Sequence, residues 1–184
     1  MRRNLGNKWQ FLPLPVVVIG TFDKYNNPNA MTAAWSTVYE FGQVFVSIDL
    51  EHLTAKNLKQ TKCFTLAFTT KKTVEISDYL GMVSGNDVNK LKRANLPIVK
   101  ATKINAPFIA NYPIVLECEV VSFNDGNLVG QVVNVNVDEK YLKNDGSIDF
   151  DKVEPVVYDM TTNTYRVVGK EIAKAFSVGS KLKQ

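Results

Sequence analysis

A short segment that leaves a strand and enters a helix carries side chains suited to binding a phosphate. It reads Ser47-Ile-Asp-Leu-Glu-His-Leu-Thr-Ala-Lys-Asn57. The first turn of a helix leaves backbone N–H groups unpaired, and the helix dipole favours anions at that end. Thr54 and Asn57 can both point toward this end, and His52 and Lys56 lie close in sequence. Thr54 can equally be a simple helix cap, a position at which threonine is favoured.

A second segment is strand-like and unusually rich in small residues: Asn29-Ala-Met-Thr-Ala-Ala-Trp-Ser-Thr37. Small side chains let a flat ligand approach the backbone and use its N–H and C=O groups as partners. Met31 and Trp35 add apolar surface for such a ligand. The alternative is a tightly packed barrel strand that binds nothing.

Several other kinds of site are excluded by motifs that the sequence lacks. His52 is the single histidine, which excludes metal sites and mechanisms that need two. The glycine patterns of Rossmann dinucleotide sites, P-loops and nucleophile elbows are all missing. There is no C-x-x-C pair, and Cys63 and Cys118 each lie in an apolar, strand-like run. The two cysteines are therefore expected to be buried free thiols.

Length and composition indicate one globular domain over residues 1–184, with 45% apolar and 22% charged residues. The formal charge is +4 without a long basic run, so no nucleic-acid partner is expected. No stretch reaches the ~18 apolar residues of a membrane helix, so no membrane association is expected. The apolar run after Arg2-Arg3 contains Pro13 and Pro15 and leads into a turn, unlike a signal peptide. We therefore expect a cytoplasmic protein.

The hydrophobic pattern predicts strands joined mainly by hairpins. Strands are expected at 16–19, 30–39, 44–48, 63–69, 114–123 and 128–137, and helices at 53–60, 73–80, 88–94 and 170–176. Asp125-Gly126 lies in the hairpin turn between the last two strands, and residues 138–165 are polar and turn-rich. Because the helices are too few to alternate with the strands, the fold class is predicted as mainly β with inserted α-helices, an antiparallel barrel or sandwich.

Four pieces of the sequence occur together in an order typical of one protein family. They are Pro15-Val-Val-Val-Ile-Gly20, Asn29-Ala-Met-Thr-Ala-Ala-Trp-Ser36, Val46-Ser-Ile48 and Thr54-Ala-Lys-Asn57. Further matches lie at Ser84-Gly85, Asp87 to Lys90, Ala106-Pro107, Leu116-Glu-Cys-Glu119 and Gly130-Gln-Val-Val133. In these features, which span roughly residues 11 to 140, the chain resembles the flavin reductase-like proteins of the FMN-binding split barrel.

The resemblance implies a six-stranded antiparallel split barrel that forms a homodimer and binds FMN near the dimer interface. Carried onto this sequence, the residues around the flavin would be Asn29, Met31, Thr32, Ala33, Trp35 and Ser36. Thr54 and Asn57 would bind phosphate or ribityl oxygens, and Lys90 would supply a cation near the flavin. The chain has Gly42-Gln43 where many members have Pro-Pro, and it matches the family only loosely after residue 140. Tyr165 is therefore only a candidate for a C-terminal contact to the flavin ring.

Three functions are compatible with these features. The first is an NAD(P)H-dependent flavin reductase, in which hydride passes from NADH or NADPH to the flavin and conventional acid–base residues are not needed. The second is a flavoredoxin-type electron carrier that holds FMN and serves an electron-accepting protein. The third is a barrel that binds another anion or no ligand. One helix start, without a pyrophosphate-binding glycine motif, favours FMN over FAD.

Overall fold

Antiparallel strands dominate the part of the chain that the computed structural model describes, residues 1–8 and 10–183. The strands are β1 (Leu14–Pro15), β2 (Val17–Phe22), β3 (Pro28–Ala33), β4 (Ser36–Val38), β5 (Gln43–Ser47), β6 (Cys63–Phe68), β7 (Ile98–Lys100), β8 (Pro107–Ile109), β9 (Ile114–Asn124), β10 (Asn127–Val137), β11 (Val156–Asp159) and β12 (Thr164–Val167). Seven of them form one sheet in the order β3-β2-β6-β9-β10-β5-β4, so β3 and β4 are its edges. Two smaller sheets contain β1-β11-β12 and β7-β8.

The helices are short and occupy the connections between strands. They are α1 (Leu53–Thr61), α2 (Val74–Met82), α3 (Lys90–Arg93) and α4 (Phe150–Val153), with 3₁₀ turns at Glu139–Tyr141 and Val178–Leu182. None of the helices in the described ranges is long and apolar enough to cross a membrane.

One hydrophobic core lies between the main sheet and α1. Its buried side chains come from six strands of the sheet and from Ala55 and Leu58 of α1. Gly130 on β10 is required there, because a Cβ atom would lie 2.4 Å from the Phe64 ring. Burying Leu58 in this core fixes the start of α1 beside the sheet edge.

A second core lies under α2 and α3. Leu80 of α2 and Leu91 of α3 pack with Val18 of β2 and Ala30 of β3. The two cores meet at β3, whose residues alternate between the two sides of the sheet. Strand β3 is therefore held between α1 and α2, and the start of α1 and the end of α2 come together at its edge.

The predicted fold class is confirmed: the chain is mainly β, and its curled antiparallel sheet is a split barrel. The sheet has seven strands rather than six. The segment 30–39 was expected to be one strand, but it breaks at Ala34–Trp35 into β3 and β4, which lie at opposite edges. Both cysteines are buried free thiols, as predicted.

Two sequence-based expectations for the second half of the chain were wrong. Residues 170–176 form no helix, and the described chain end contains only a 3₁₀ turn. Ile172 and Phe176 are fully exposed, so no packed surface stabilises a helix there. The turn-rich stretch 138–165 contains β11 and the start of β12, which pair with each other next to β1.

Candidate functional site

Three adjoining cavities line the edge of the sheet at β3, and together we call them the cleft. Thr32 lines all three cavities, and Met31 and His52 line two of them. The first, the polar cavity, has a volume of about 180 Å³. The second, the apolar cavity, measures about 630 Å³, and the third, the tyrosine cavity, about 380 Å³. Because they share walls, one elongated ligand can span more than one of them.

The polar cavity lies where α1 begins, and its wall is rich in hydrogen-bond donors. Its lining includes Asn29, His52, Thr54, Ser84, Gly85 and Lys90. The backbone N–H groups of Leu53 and Thr54 belong to the first turn of α1 and donate to no group within the described residues. Unpaired amides at a helix start favour an anion, so this end of the cleft suits a phosphate.

The loop after α2 forms the opposite wall of the polar cavity and is tied to α1. The amide of Asn86 donates to the Glu51 carbonyl at 3.0 Å and its oxygen accepts from the Lys56 ammonium at 2.9 Å. Gly85 packs so closely that a Cβ atom would lie 2.5 Å from Oδ1 of Asn29 and 3.1 Å from Cδ2 of Leu53. Glycine at position 85 therefore keeps this wall against the helix start.

Lys90 brings a positive charge into the same wall. The residue is 3% exposed, and its Nζ donates to the carbonyls of Leu80 at 2.8 Å and Val83 at 3.0 Å. These carbonyls lie at the end of α2, where a cation is favoured by the helix dipole. Burial lowers the pKa of Lys90 to about 8. The ammonium thus both terminates α2 and faces the polar cavity.

Thr54 does not cap α1, contrary to one of the two expectations for this residue. His52 occupies the N-cap position without a side-chain capping bond, and the helix begins at Leu53. The Thr54 hydroxyl instead accepts a hydrogen bond of 2.8 Å from the side-chain amide of Asn29. Accepting this bond leaves the hydroxyl proton available to a ligand in the polar cavity.

Asn57 lies one turn further into α1 and faces a different surface. Its amide donates to the Thr21 hydroxyl at 3.0 Å, and both residues are buried. It lines a smaller cavity of about 120 Å³ that adjoins the polar cavity. The two cavities share the wall residues Asn29, Leu53, Gly85 and Lys90. The structure therefore places Asn57 where it attaches α1 to β2 rather than on the polar cavity.

The apolar cavity continues the cleft away from the helix start. It is lined by Met31, Ala33, Ala34, Trp35, Ile48 and Leu50, together with residues of the β9–β10 turn. Ala33 and Ala34 place only small side chains between this cavity and the backbone at the sheet edge. This end of the cleft suits an aromatic ring.

The tyrosine cavity adjoins both others and is built from the β11–β12 hairpin. Tyr158 and Tyr165 lie with their ring centroids 6.1 Å apart and tilted by 53°. The Tyr165 hydroxyl donates to Oδ1 of Asp78 on α2 at 2.8 Å. This hydrogen bond attaches the β11–β12 hairpin to α2. Burial and the neighbouring Asp78 carboxylate raise the pKa of Tyr165 to about 12, so its hydroxyl stays a donor.

Most of the residues predicted for the site meet at the cleft. Asn29, Met31, Thr32, Ala33, Trp35, Thr54 and Lys90 all line one or more of the three cavities. Ser36 does not: it lies on β4 and pairs with Val46. Asn57 faces the smaller cavity instead.

Sequence reasoning assigned no site role to Ser84, Gly85 or Tyr158, and it named Tyr165 only as a candidate contact to the ring. Ser84-Gly85 belonged to the motif string and could have been found from it. Tyr158 and Tyr165 lie in a stretch whose short strands have no clear alternation, so no local pattern marked Tyr158, and only the family resemblance pointed to Tyr165.

Comparisons with known proteins agree with this fold. The model of the flavin reductase like domain family matches residues 9–162. Flavoredoxin of Desulfovibrio vulgaris (Miyazaki F) superposes with a TM-score of 0.92 at 30% identity, covering 97% of this chain and 100% of that one. Flavoredoxin from Methanosarcina acetivorans gives 0.87 at 26% identity, covering 99% of each chain.

Sequence comparison also finds a relative that aligns with most of this chain. An uncharacterized protein of Archaeoglobus fulgidus is 26% identical over 173 residues, which are 89% of this chain and 97% of that protein. The family match covers every element that builds the polar and apolar cavities. The chain belongs to the flavin reductase-like domain family.

Proposed function

We propose that this protein binds FMN in the cleft and transfers hydride to it from NADH or NADPH. The observation that supports this most directly is the two-ended shape of the cleft, with amide donors and Lys90 at one end and apolar walls at the other. FMN has the matching polarity, with a phosphate at one end and a flat ring at the other. Membership of the flavin reductase-like family supports the same assignment.

The residues present fit FMN at both ends of the cleft. At the polar end, the N–H groups of Leu53 and Thr54, the Thr54 hydroxyl and the Lys90 ammonium can all donate to a phosphate. Glycine at position 85 lets the loop after α2 pack against Asn29 and Leu53, which keeps these donors within one wall. At the other end, Met31 and Trp35 supply apolar contacts for the ring.

When bound, the flavin supplies the redox chemistry, and the protein supplies position and electrostatics. Residues of the polar cavity would anchor the phosphate and so fix the ring along β3. Ala33 and Ala34 would leave the ring close to the strand edge, and the β11–β12 hairpin would cover one side. Because the cleft stays open at the apolar cavity, a second flat ligand can approach the ring.

A flavoredoxin-type electron carrier is the second candidate function. It is favoured by the likeness to two flavoredoxins over nearly the whole chain, at 30% and 26% identity. In that case FMN would stay bound, and the electrons would pass to an electron-accepting protein. We expect a carrier to retain FMN through dialysis and to oxidise NADH slowly, whereas a reductase exchanges FMN and oxidises NADH or NADPH steadily.

The test has two steps. The absorption spectrum of the purified protein, before and after adding FMN, shows whether flavin binds, and chromatography of the heat-released cofactor identifies it. NADH and NADPH oxidation is then measured with and without added FMN. Failure to retain any flavin, or recovery of mainly FAD, would contradict FMN binding; retention without steady nicotinamide oxidation would favour the carrier.

We also propose a homodimer, as the family resemblance implies. The proposal is supported by exposed apolar side chains at and beside the edge strand β4: Trp35, Val38, Tyr39 and Phe41. Sedimentation equilibrium at micromolar concentration tests it, and a one-chain mass with flavin fully bound would refute it.

We further propose a cytoplasmic location. The two free buried thiols support it, because free cysteines are typical of a reducing compartment.

A further inference from the structure

We propose that the hydrogen bond between Tyr165 and Asp78 controls how long a bound flavin is retained. Asp78 would be a positioning residue, which acts by holding Tyr165, and with it the β11–β12 hairpin, against α2. This inference rests on the proposed function, because it concerns the flavin that the cleft is proposed to bind. It names the contact that decides whether FMN stays bound or exchanges with free flavin.

The β11–β12 hairpin forms one wall of the ring end of the cleft. Tyr158 and Tyr165 both line the tyrosine cavity, and Tyr158 also lines the apolar cavity. Another part of the tyrosine cavity is lined by α2, through Asp78, Gly81 and Met82. The size of this cavity therefore depends on how close the hairpin stays to α2.

The base of the hairpin is bound to the rest of the chain by backbone hydrogen bonds. The N–H group of Val156 donates to the Thr69 carbonyl at 3.1 Å, and the Lys71 N–H group donates to the Glu154 carbonyl at 2.9 Å. Strand β11 also pairs with β1 over two residues. These bonds hold β11 at its first residue and along one side.

Strand β12 is attached far more weakly. It pairs with β11 alone, and all four of its residues are exposed. Within the described ranges, one hydrogen bond joins β12 to a residue outside the hairpin, and it runs from the Tyr165 hydroxyl to Oδ1 of Asp78 at 2.8 Å. The turn before β12 receives a bond from the Phe11 N–H group at the sulfur of Met160, a weak acceptor. Loss of the Tyr165 bond would therefore let β12 move away from α2.

The acceptor side of the bond is rigid, because the neighbouring residue of α2 is fixed in the protein interior. The Ser77 hydroxyl lies 2.7 Å from the Thr69 hydroxyl and 2.7 Å from the Tyr112 hydroxyl. All three residues are buried, and the Ser77 carbonyl accepts a further bond from Thr32 on β3. A hairpin bonded to Asp78 is therefore held at a fixed distance from the strand that lines the cleft.

Movement of the hairpin would open the ring end and leave the polar cavity unchanged. Tyr158 lines both cavities of the ring end, and no residue of the hairpin lines the polar cavity. A bound flavin would lose contacts to its ring and keep those to its phosphate. Breaking the Tyr165 bond should therefore speed the release of FMN and riboflavin by the same factor.

Dissociation rates of the flavin-loaded protein test this directly. The protein is diluted, and the release of FMN is followed by the return of flavin fluorescence. Tyr165→Phe keeps the ring and removes the hydroxyl, and Asp78→Ala removes the acceptor. We expect each variant to raise the dissociation rate about three- to tenfold, the effect of one partly exposed hydrogen bond. Riboflavin release should rise by the same factor.

A double variant distinguishes one bonded pair from two separate contacts to the ring. Tyr165→Phe with Asp78→Ala should release FMN no faster than either single variant, because each already lacks the bond. Asp78→Asn keeps an oxygen that accepts from the tyrosine hydroxyl, so its rate should stay within about twofold of the parent rate. Glu75→Ala is the matched control, since it removes an exposed carboxylate from the same helix that lines neither cavity of the ring end.

Hydrogen exchange of the flavin-free protein measures the attachment of the hairpin itself. The amides of β12 should exchange faster in Tyr165→Phe than in the parent protein, because the hairpin opens more often. The amides of β2, which pairs with strands on both sides in the main sheet, should be unaffected.

The outcomes separate this inference from the proposed function. If FMN binds but both single variants release it at the parent rate, or if their effects multiply in the double variant, the inference is wrong and the proposed function stands. Faster exchange of β12 with unchanged FMN release would also overturn it, because the bond would then be purely structural. If the parent protein binds no flavin, the proposed function itself fails, and the retention role falls with it.

Discussion

The side-chain amide of Asn29 on β3 donates a hydrogen bond of 2.8 Å to the Thr54 hydroxyl in the first turn of α1. Both residues are almost fully buried. The bond joins the edge of the sheet to the helix start, which are 25 positions apart in the chain. Any ligand that binds at the start of α1 is therefore held at a fixed position relative to β3.

Thr54→Ala is expected to weaken FMN binding more than riboflavin binding. The variant loses a hydroxyl that can donate to the phosphate, a bond to a charged group worth about 1.5–3 kcal/mol, or roughly ten- to hundredfold in affinity. Riboflavin has no phosphate and should be affected less. Fluorescence quenching titrations of both flavins provide the measurement.

Thr54→Ser is the matched control, because it keeps the hydroxyl that accepts from Asn29. Thr54→Ala also leaves the buried Asn29 amide without this partner, at about 1–3 kcal/mol of stability. Urea unfolding without flavin measures that effect separately. Equal weakening of FMN and riboflavin would mean that Thr54 only fixes the helix to the sheet.

FMN affinity should fall as the pH rises through about 8, the pKa of Lys90 in the flavin-free protein. Below that pH the ammonium is charged and can interact with phosphate, and above it the charge is lost. Lys90→Met removes the charge and keeps an apolar stem, so it should lower FMN affinity about tenfold at pH 7 and flatten the pH profile. Riboflavin should show no such step.

The stability of the flavin-free protein should change in the opposite direction. Burial lowers the pKa of Lys90, so the folded protein loses this proton before the unfolded chain does. Between pH 8 and about 10.4 the unfolded chain binds more protons, and the contribution of Lys90 to the unfolding free energy rises with pH. Absence of this rise in a comparison with Lys90→Met would show that the ammonium is not buried as described.

Gly85→Ala is expected to damage the polar cavity. Its Cβ would lie 2.5 Å from Oδ1 of Asn29, which must move and strain its bond to Thr54. We expect a loss of FMN affinity of at least about tenfold and about 1–3 kcal/mol of stability. At Gly81 a Cβ would lie 3.5 Å from Thr32, an ordinary contact, so Gly81→Ala is the control that keeps phosphate-dependent binding.

Glu117 should make the protein sensitive to acid. The side chain is fully buried and accepts from the backbone N–H groups of Thr102 and Lys103 and from the amide of Asn134. Burial alone would raise the pKa of Glu117, but these hydrogen bonds, led by the Lys103 N–H, lower it below the ordinary value. The resulting stability is present above the unfolded-state pKa, about 4.3, and is lost as the pH falls through the lower folded-state value.

Glu117→Gln tests this through urea unfolding at several pH values. It should lose about 2–3 kcal/mol at pH 7 and show a smaller decline between pH 5 and pH 3 than the parent protein. Glu119→Gln, on the same strand but exposed, is the control. An unchanged acid profile in Glu117→Gln would show that this carboxylate does not drive the acid sensitivity.

The parts of the molecule with strong local signals were predicted from sequence. The β9–β10 hairpin follows from alternating apolar residues around Asp125-Gly126, and the approach of α1 to the small-residue strand follows from the motif string. The break at Ala34–Trp35 was not predictable, because only the tertiary structure sends β4 to the opposite edge. The role of Gly85 likewise depends on a contact with Asn29, 56 positions away in the chain.

Strand β3 is an edge of the main sheet, so no sheet hydrogen bond crosses the cleft on its outer side. The two cores close on either side of β3 through side chains of the chain itself. A ligand can therefore enter or leave the cleft along this edge without any pair of strands having to separate.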